Sequence, residues 1–106
     1  MPVAYTVRCS FTEGDVADAW ATWLREAHLA DVCDAGASHA ILVRLDGEPV
    51  TYEARYTFPD RATFDAYVRD HAPRLRDEGL SRFPLARGLT YSRTVGEVEA
   101  VAAPRG

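Results

Sequence analysis

Lysine, asparagine and glutamine are absent from this chain, and all twelve basic residues are arginine. Without lysine there is no Schiff base to pyridoxal phosphate and no phosphate-gripping lysine of a P-loop. No G-x-G-x-x-G occurs, which removes the dinucleotide-binding fingerprint. No apolar run approaches the roughly 18 residues of a membrane span. The opening Met1-Pro2-Val3-Ala4-Tyr5 lacks the basic region and apolar stretch of a signal peptide, so a soluble, cytoplasmic protein is expected. Excess positive charge is missing too: the arginines face 16 acidic residues, for a formal net charge of −4. That balance argues against nucleic acid or an anionic membrane surface as partner. The preference for arginine over lysine is explained most simply by base composition of the gene, since isolated surface ion pairs add little stability.

Cysteine is scarce. Cys9 and Cys33 are the only two, too few for a disulfide framework, and free thiols are expected, with Cys9 packed in a strand. Cys33 lies between His28 and His39, but that spacing matches no closed zinc site. Neither a metal nor a cofactor is expected.

What remains is ordinary globular material: 106 residues, 47% hydrophobic and 26% charged. Such a chain can bury one real core. A single domain over residues 1–99 is expected, followed by a flexible tail over 100–106.

Val3 to Phe11 alternates with a period of two, placing Val3, Tyr5, Val7, Cys9 and Phe11 on one side, and predicts a half-buried strand. Asp15 is the expected N-cap of a helix in which Val16, Trp20, Trp23, Leu24 and Ala27 recur at helical spacing to about His28. A second strand is predicted over Ser38 to Leu45, with His39, Ile41, Val43 and Leu45 on one face and Ala40, Leu42 and Arg44 on the other. The turn Asp46-Gly47-Glu48-Pro49 joins it to a third strand, where Tyr52, Ala54, Tyr56 and Phe58 share a side. Pro59-Asp60 starts a second helix carrying Phe64, Val68, His71 and Leu75, which Pro73 should kink or restart. A last strand runs from about Arg87 to Val95 or Val98.

Strand, helix, strand, strand, helix, strand is the α+β, ferredoxin-like βαββαβ order: a four-stranded antiparallel sheet with two helices on one face. The apolar side of each strand must meet the helices. The other side collects Thr6, Arg8, Ser10, Arg44, Glu53, Arg55, Thr57, Thr90, Ser92 and Thr94. Either this face is simply solvated, or two sheets pack polar face to polar face as a homodimeric α/β barrel. In the second case Arg8, Arg44 and Arg55 could hold a small anion, because guanidinium forks suit carboxylate and phosphate.

His28 and His71 are the candidates for proton transfer. Each also has a plainer reading: His71 as a hydrogen-bonded core residue, and His28 as a cation favoured at a helix C-terminus, with Asp31 or Glu26 available to orient it. Trp20 and Trp23 are most simply core residues, although aromatic walls also line ligand pockets.

The segments Trp20-Ala21-Thr22-Trp23-Leu24, His28-Leu29-Ala30-Asp31-Val32, Ala35-Gly36, Arg44, Tyr52 to Tyr56, His71-Ala72-Pro73-Arg74-Leu75-Arg76, Phe83 and Tyr91-Ser92-Arg93-Thr94 resemble a bacterial family. It is the domain-of-unknown-function family numbered four-two-eight-six. The resemblance spans about residues 3 to 98. Ala30 stands where members often carry proline, and Ser92 where they often carry phenylalanine. The resemblance implies a dimeric α/β-barrel-like domain and no particular activity. It points to His28, His71 and Arg93, and more loosely to Arg44. Alternation places Arg93 with Leu89 and Tyr91 on the helix-packed side, unless a bulge shifts the register.

Three functions follow from this pattern. One is a homodimer binding a small anionic metabolite on its sheet face through Arg8, Arg44, Arg55 and Arg93. A second is a cofactor-independent monooxygenase or isomerase using His28 or His71, an analogy at the level of fold. The third is a structural dimer that recruits a partner through an exposed edge strand.

Overall fold

Alternation in the first segment becomes strand β1 (Val3–Phe11), in which Val3, Tyr5, Cys9 and Phe11 are buried on one side, in a computed structural model that describes all 106 residues. It pairs antiparallel with β3 (Thr51–Phe58) on one flank and β4 (Leu89–Glu97) on the other. Strand β2 (His39–Arg44) completes the sheet at the outer edge of β3, giving the order β2-β3-β1-β4. This is the expected ferredoxin-like arrangement. No helix is long and apolar enough to cross a membrane.

The first helical region departs from expectation at both ends. Helix α1 (Gly14–Trp23) begins two residues earlier than an Asp15 cap would allow. Glu13 holds the cap position without a side-chain bond, and Asp15 sits in the first turn. The region also does not stop at His28. A π-helical turn (Leu24–His28), closed by the Leu29 N–H donating to the Leu24 carbonyl, carries the chain into α2 (Leu29–Asp34). The extra residue of that turn breaks the 3.6 period. Leu24, Leu29 and Val32 still pack against the core, but with a five-residue step between the first two that helical periodicity does not recognise.

The second helical region starts as expected. Asp60 caps α3 (Arg61–Asp70), its carboxylate accepting the Thr63 N–H at 2.7 Å. The chain breaks at His71, and Pro73 sits in the first turn of α4 (Ala72–Arg82), where its missing N–H costs nothing. A short 3₁₀ turn (Leu85–Arg87) and Gly88 lead into β4. Beyond Glu97 no regular element forms, though the Val98 N–H donates to the Pro2 carbonyl at 2.9 Å.

One strand face is reversed relative to the sequence expectation. Register pairs Ala40 with Tyr56, Leu42 with Ala54 and Arg44 with Tyr52. Residues directly opposite each other in an antiparallel ladder share a face, so Arg44 lies on the helix-packed side. His39, Ile41 and Val43 lie on the open one. Both faces of β2 carry apolar residues, so alternation alone could not choose, and the edge position tolerates a half-exposed Ile41. The open face otherwise carries the expected hydroxyls with Arg8, Glu53 and Arg55.

The core is one cluster between sheet and helices, built on Phe58, Leu24, Leu75, Val3, Val32 and Cys9. Aromatic rings dominate it: Phe58 meets Phe64 at 5.2 Å and Phe11 meets Trp20 at 5.3 Å, both edge-on. Edge-on pairs of this kind add about 0.5–1.5 kcal/mol each beyond area burial.

Candidate functional site

The aromatic layer is not completely filled. A cavity of about 50 Å³ opens between the sheet and the helices, walled by Tyr5, Val7, Ala54, Tyr56, Tyr91 and Arg93 from the strands and Trp20, Trp23, Leu24, His28, Tyr67, Leu75, Arg76, Gly79 and Leu80 from the helices. It is therefore on the opposite side of the sheet from the polar face where the sequence placed a ligand.

Strand register delivers the first charge. Arg93 stands opposite Val7, which keeps it in phase with Leu89 and Tyr91 with no bulge, and its guanidinium lies 5.2 Å from the centre of the Tyr91 ring. Arg76, from α4, donates from Nη2 to the Tyr5 hydroxyl at 3.4 Å. Neither arginine has a carboxylate within ion-pair distance; the five ion pairs use Arg8, Arg55, Arg61, Arg69 and Arg82. In a chain richer in acid than base, these two guanidiniums beside one cavity have donors that no carboxylate occupies, and guanidinium forks suit carboxylate and phosphate groups.

The π-helical turn delivers the histidine. On a regular α-helix, residues five apart point well away from each other. The wider turn brings His28 under Trp23 instead, with ring centres 4.5 Å apart and planes 25° from parallel. Trp23 Nε1 and His28 Nδ1 are both buried with no hydrogen-bond partner. An orphaned buried polar atom costs about 1–3 kcal/mol, so a polar group brought to either atom would relieve that cost. By contrast, Trp20 is satisfied, its Nε1 donating to the Tyr91 hydroxyl at 3.0 Å.

Burial sets the protonation states. It pulls His28 below its ordinary value, against the smaller opposing pull of the Asp31 and Glu78 carboxylates, so the ring is neutral at pH 7. Burial likewise pushes the phenols of Tyr67 and Tyr91 up to about 12, and raises Tyr56 further. All three stay neutral hydroxyls. Cys9 is driven to about 12 by the same cause and is an inert core thiol.

Of the residues expected to form a site, the structure brings only His28 and Arg93 to this cavity. Arg8 and Arg55 lie on the open face and converge on Glu53, donating at 2.7–2.9 Å and 2.8–2.9 Å. These guanidiniums, Arg8 first, hold the buried Glu53 carboxyl below its usual range. Arg44 lies over the Tyr52 ring at 5.9 Å, beside Arg25 in a separate outer groove. His71 is not in the core: it sits at the break between α3 and α4, with Nδ1 3.0 Å from Arg74 Nη2, in a polar depression with Asp31 and Asp34. Sequence reasoning missed Arg76 and the lining tyrosines. Arg76 gave one signal, its place one residue after the buried Leu75 in a motif already singled out. Tyr5, Tyr56 and Tyr91 gave none beyond falling on buried strand faces, and Tyr67 none beyond its place on a helix.

No curated protein matches the sequence. Solved structures do match in fold. A dimeric ferredoxin-like protein from an uncultured marine organism superposes with a TM-score of 0.71 at 12% identity, covering 96% of this chain and 99% of that one. A putative antibiotic biosynthesis monooxygenase from Deinococcus radiodurans gives 0.69 at 11% identity over 100% of both chains. SnoaB, a cofactor-independent oxygenase from Streptomyces nogalater, gives 0.66 at 13% identity over 94% of this chain and 95% of its own. At these identities the likeness is one of fold. The sequence profile described as Domain of unknown function (DUF4286) matches residues 3–95, and the chain belongs to that family.

Proposed function

We propose that the cavity binds a small, flat aromatic acid or phenol as its anion, and that two copies of the chain pair through their open sheet faces. The observation that carries the ligand reading is the placement of Arg76 and Arg93, without carboxylate partners, in a cavity otherwise walled by aromatic rings and aliphatic side chains. Ring stacking and guanidinium contacts together select a flat anion over an aliphatic one. At about 50 Å³ the cavity holds a few water molecules as it stands. A one-ring ligand enters by displacing Leu80, which is half-exposed at the rim.

Titration of benzoate and substituted phenols against Trp20 and Trp23 fluorescence tests the reading, with thermal shift alongside. Saturable quenching with a raised Tm is expected for the anions, and none for benzamide. Silence across the panel, or unchanged binding in an Arg76→Met/Arg93→Met variant, would sink it.

Pairing is supported by the marine relative's description as dimeric and by Ile41 and Val43, which register places on the open face. Light scattering on the wild type and on Ile41→Asp tests it: a dimer that dissociates is expected, and a wild-type monomer at micromolar concentration removes the idea.

A second reading is oxygenation of the bound ligand without a cofactor. The neutral, partly buried His28 beside the cavity favours it, as does the likeness of fold to SnoaB. Oxygen uptake with electron-rich hydroxyaromatics above the protein-free rate is the expected sign; its absence across the ligands that bind leaves binding alone.

A further inference from the structure

We infer that His28 Nδ1 takes the proton of the bound ligand, so that the cavity captures a neutral weak acid with a delocalised conjugate base, of which a phenol is the simplest, and holds it as the anion. This rests on the cavity being the ligand site. It adds which protonation state enters, where the proton goes, and therefore which substrate class fits.

The cavity is lined by groups with complementary tasks. Arg76 and Arg93 offer guanidinium donors that no carboxylate occupies. His28, in the same lining, is fixed against Trp23 by the π-helical turn. A freely rotating imidazole would turn its nitrogen to water or to a neighbouring carbonyl. This one is stacked, and its Nδ1 stays buried without a partner.

Proton transfer is balanced within the site. The ligand O–H bond breaks and its electron pair remains on oxygen. The imidazole lone pair at Nδ1 forms the new N–H bond, and Nε2 keeps its own hydrogen. Phenolate and imidazolium result from two neutral partners, with no oxidant or reductant. The new positive charge on His28 faces the Asp31 carboxylate from α2 and the Glu78 carboxylate from α4, both of which favour it. Arg82, whose guanidinium lies 5.7 Å over the Trp23 ring, opposes it from α4. The new negative charge faces Arg76 and Arg93. A carboxylic acid, already ionised at neutral pH, brings no proton and uses only the arginines.

4-Nitrophenol reports the outcome directly, because its phenolate is yellow and its phenol is not. With the intact protein at a pH well below the probe's own pKa, the bound probe is expected to turn yellow. Calorimetry in two buffers of different ionisation enthalpy should then find almost no proton released, because His28 keeps it. Two variants separate this role from packing. His28→Phe preserves the stack on Trp23 and His28→Gln preserves polarity; in both, phenolate affinity at that pH should fall about tenfold or more. Any phenolate that still binds should release a full proton to buffer. Benzoate, which brings no proton, should lose less affinity than the phenol in either variant, and circular dichroism with a melting curve certifies that both fold. A colourless bound probe, or a wild-type phenolate complex that releases one proton, overturns the inference while leaving the ligand site standing. If neither 4-nitrophenol nor benzoate quenches tryptophan, the ligand site itself fails and the inference with it.

Discussion

Arg93 stands opposite Val7 in the β1–β4 ladder, so its guanidinium lies on the helix-covered side of the sheet, 5.2 Å from the centre of the Tyr91 ring. The charge shares that space with an aromatic wall, away from any carboxylate. Arg93→Met keeps an unbranched apolar stem and removes only the fork. Benzoate affinity should fall about tenfold to a hundredfold, the equivalent of one charge-assisted hydrogen bond of about 1.5–3 kcal/mol. Thermal stability should hold or rise slightly, because a half-covered charge is replaced by apolar surface. Titration calorimetry and a melting curve check the two halves of this expectation separately.

On the opposite face, Glu53 is 7% exposed and gripped from both sides by Arg8 and Arg55. Its carboxyl is held below the usual range, chiefly by the Arg8 hydrogen bonds. A depressed folded-state value means the ionised form is favoured by folding. The stabilisation is therefore fully present above the unfolded value of about 4.3 and is lost as pH falls through the lower folded value. Glu53→Gln should cost about 1–2 kcal/mol at pH 7, between the values for exposed and fully buried pairs, because both arginine heads remain half solvated. The cost should shrink toward zero in strong acid. Urea melts of both proteins across the acid range measure the convergence; parallel curves would show that the triad does not titrate with folding.

The elements of the fold were legible because each obeys a local rule. Val3 to Phe11 alternates, Asp60 is followed by a helix it can cap, and Pro73 restarts the helix it interrupts. The misread features are those where two local rules compete. β2 is apolar on both sides, so its facing was fixed by pairing Arg44 with Tyr52, a long-range fact. The π-helical turn inserts one residue that periodicity cannot register, which hid both the continuation to Asp34 and the stacking of His28 on Trp23. The candidate site depends on both kinds of information. Alternation put Arg93 in phase with Leu89 and Tyr91 but left a bulge open, which the unbroken β1–β4 register closes, whereas Arg8, Arg44 and Arg55 were grouped by charge on an assumed common face. Two of those three turned out to serve Glu53 and the third an outer groove.

Gly88 is the hinge between the 3₁₀ turn and β4, with φ of +91°. A side chain there is strained by the left-handed backbone alone. A Cβ would also run into the Thr12 hydroxyl, on the residue whose N–H donates to the Gly88 carbonyl at 3.0 Å. Gly88→Ala should destabilise by about 1–3 kcal/mol. Adding Thr12→Ser trims the threonine methyl but leaves the hydroxyl, so it should rescue less than Thr12→Ala. Denaturation of the two double variants tests that ranking, because contacting residues are expected to couple.

Gly79 distinguishes a ligand cavity from a packing fault. It lies inside α4, where glycine costs about 0.5–1 kcal/mol relative to alanine. A Cβ there would sit 3.5 Å from Trp23 Cη2 and 3.8 Å from Cζ3, ordinary contact distances that demand no movement. Gly79→Ala should therefore raise stability by about 0.5–1 kcal/mol in urea titration. The same methyl takes volume from the cavity wall it lines, so benzoate should bind more weakly in the variant. If the void is merely imperfect packing, the methyl improves stability and no ligand measurement changes. If it is the site, stability and affinity move in opposite directions, the signature of a position kept as glycine to leave room for something else.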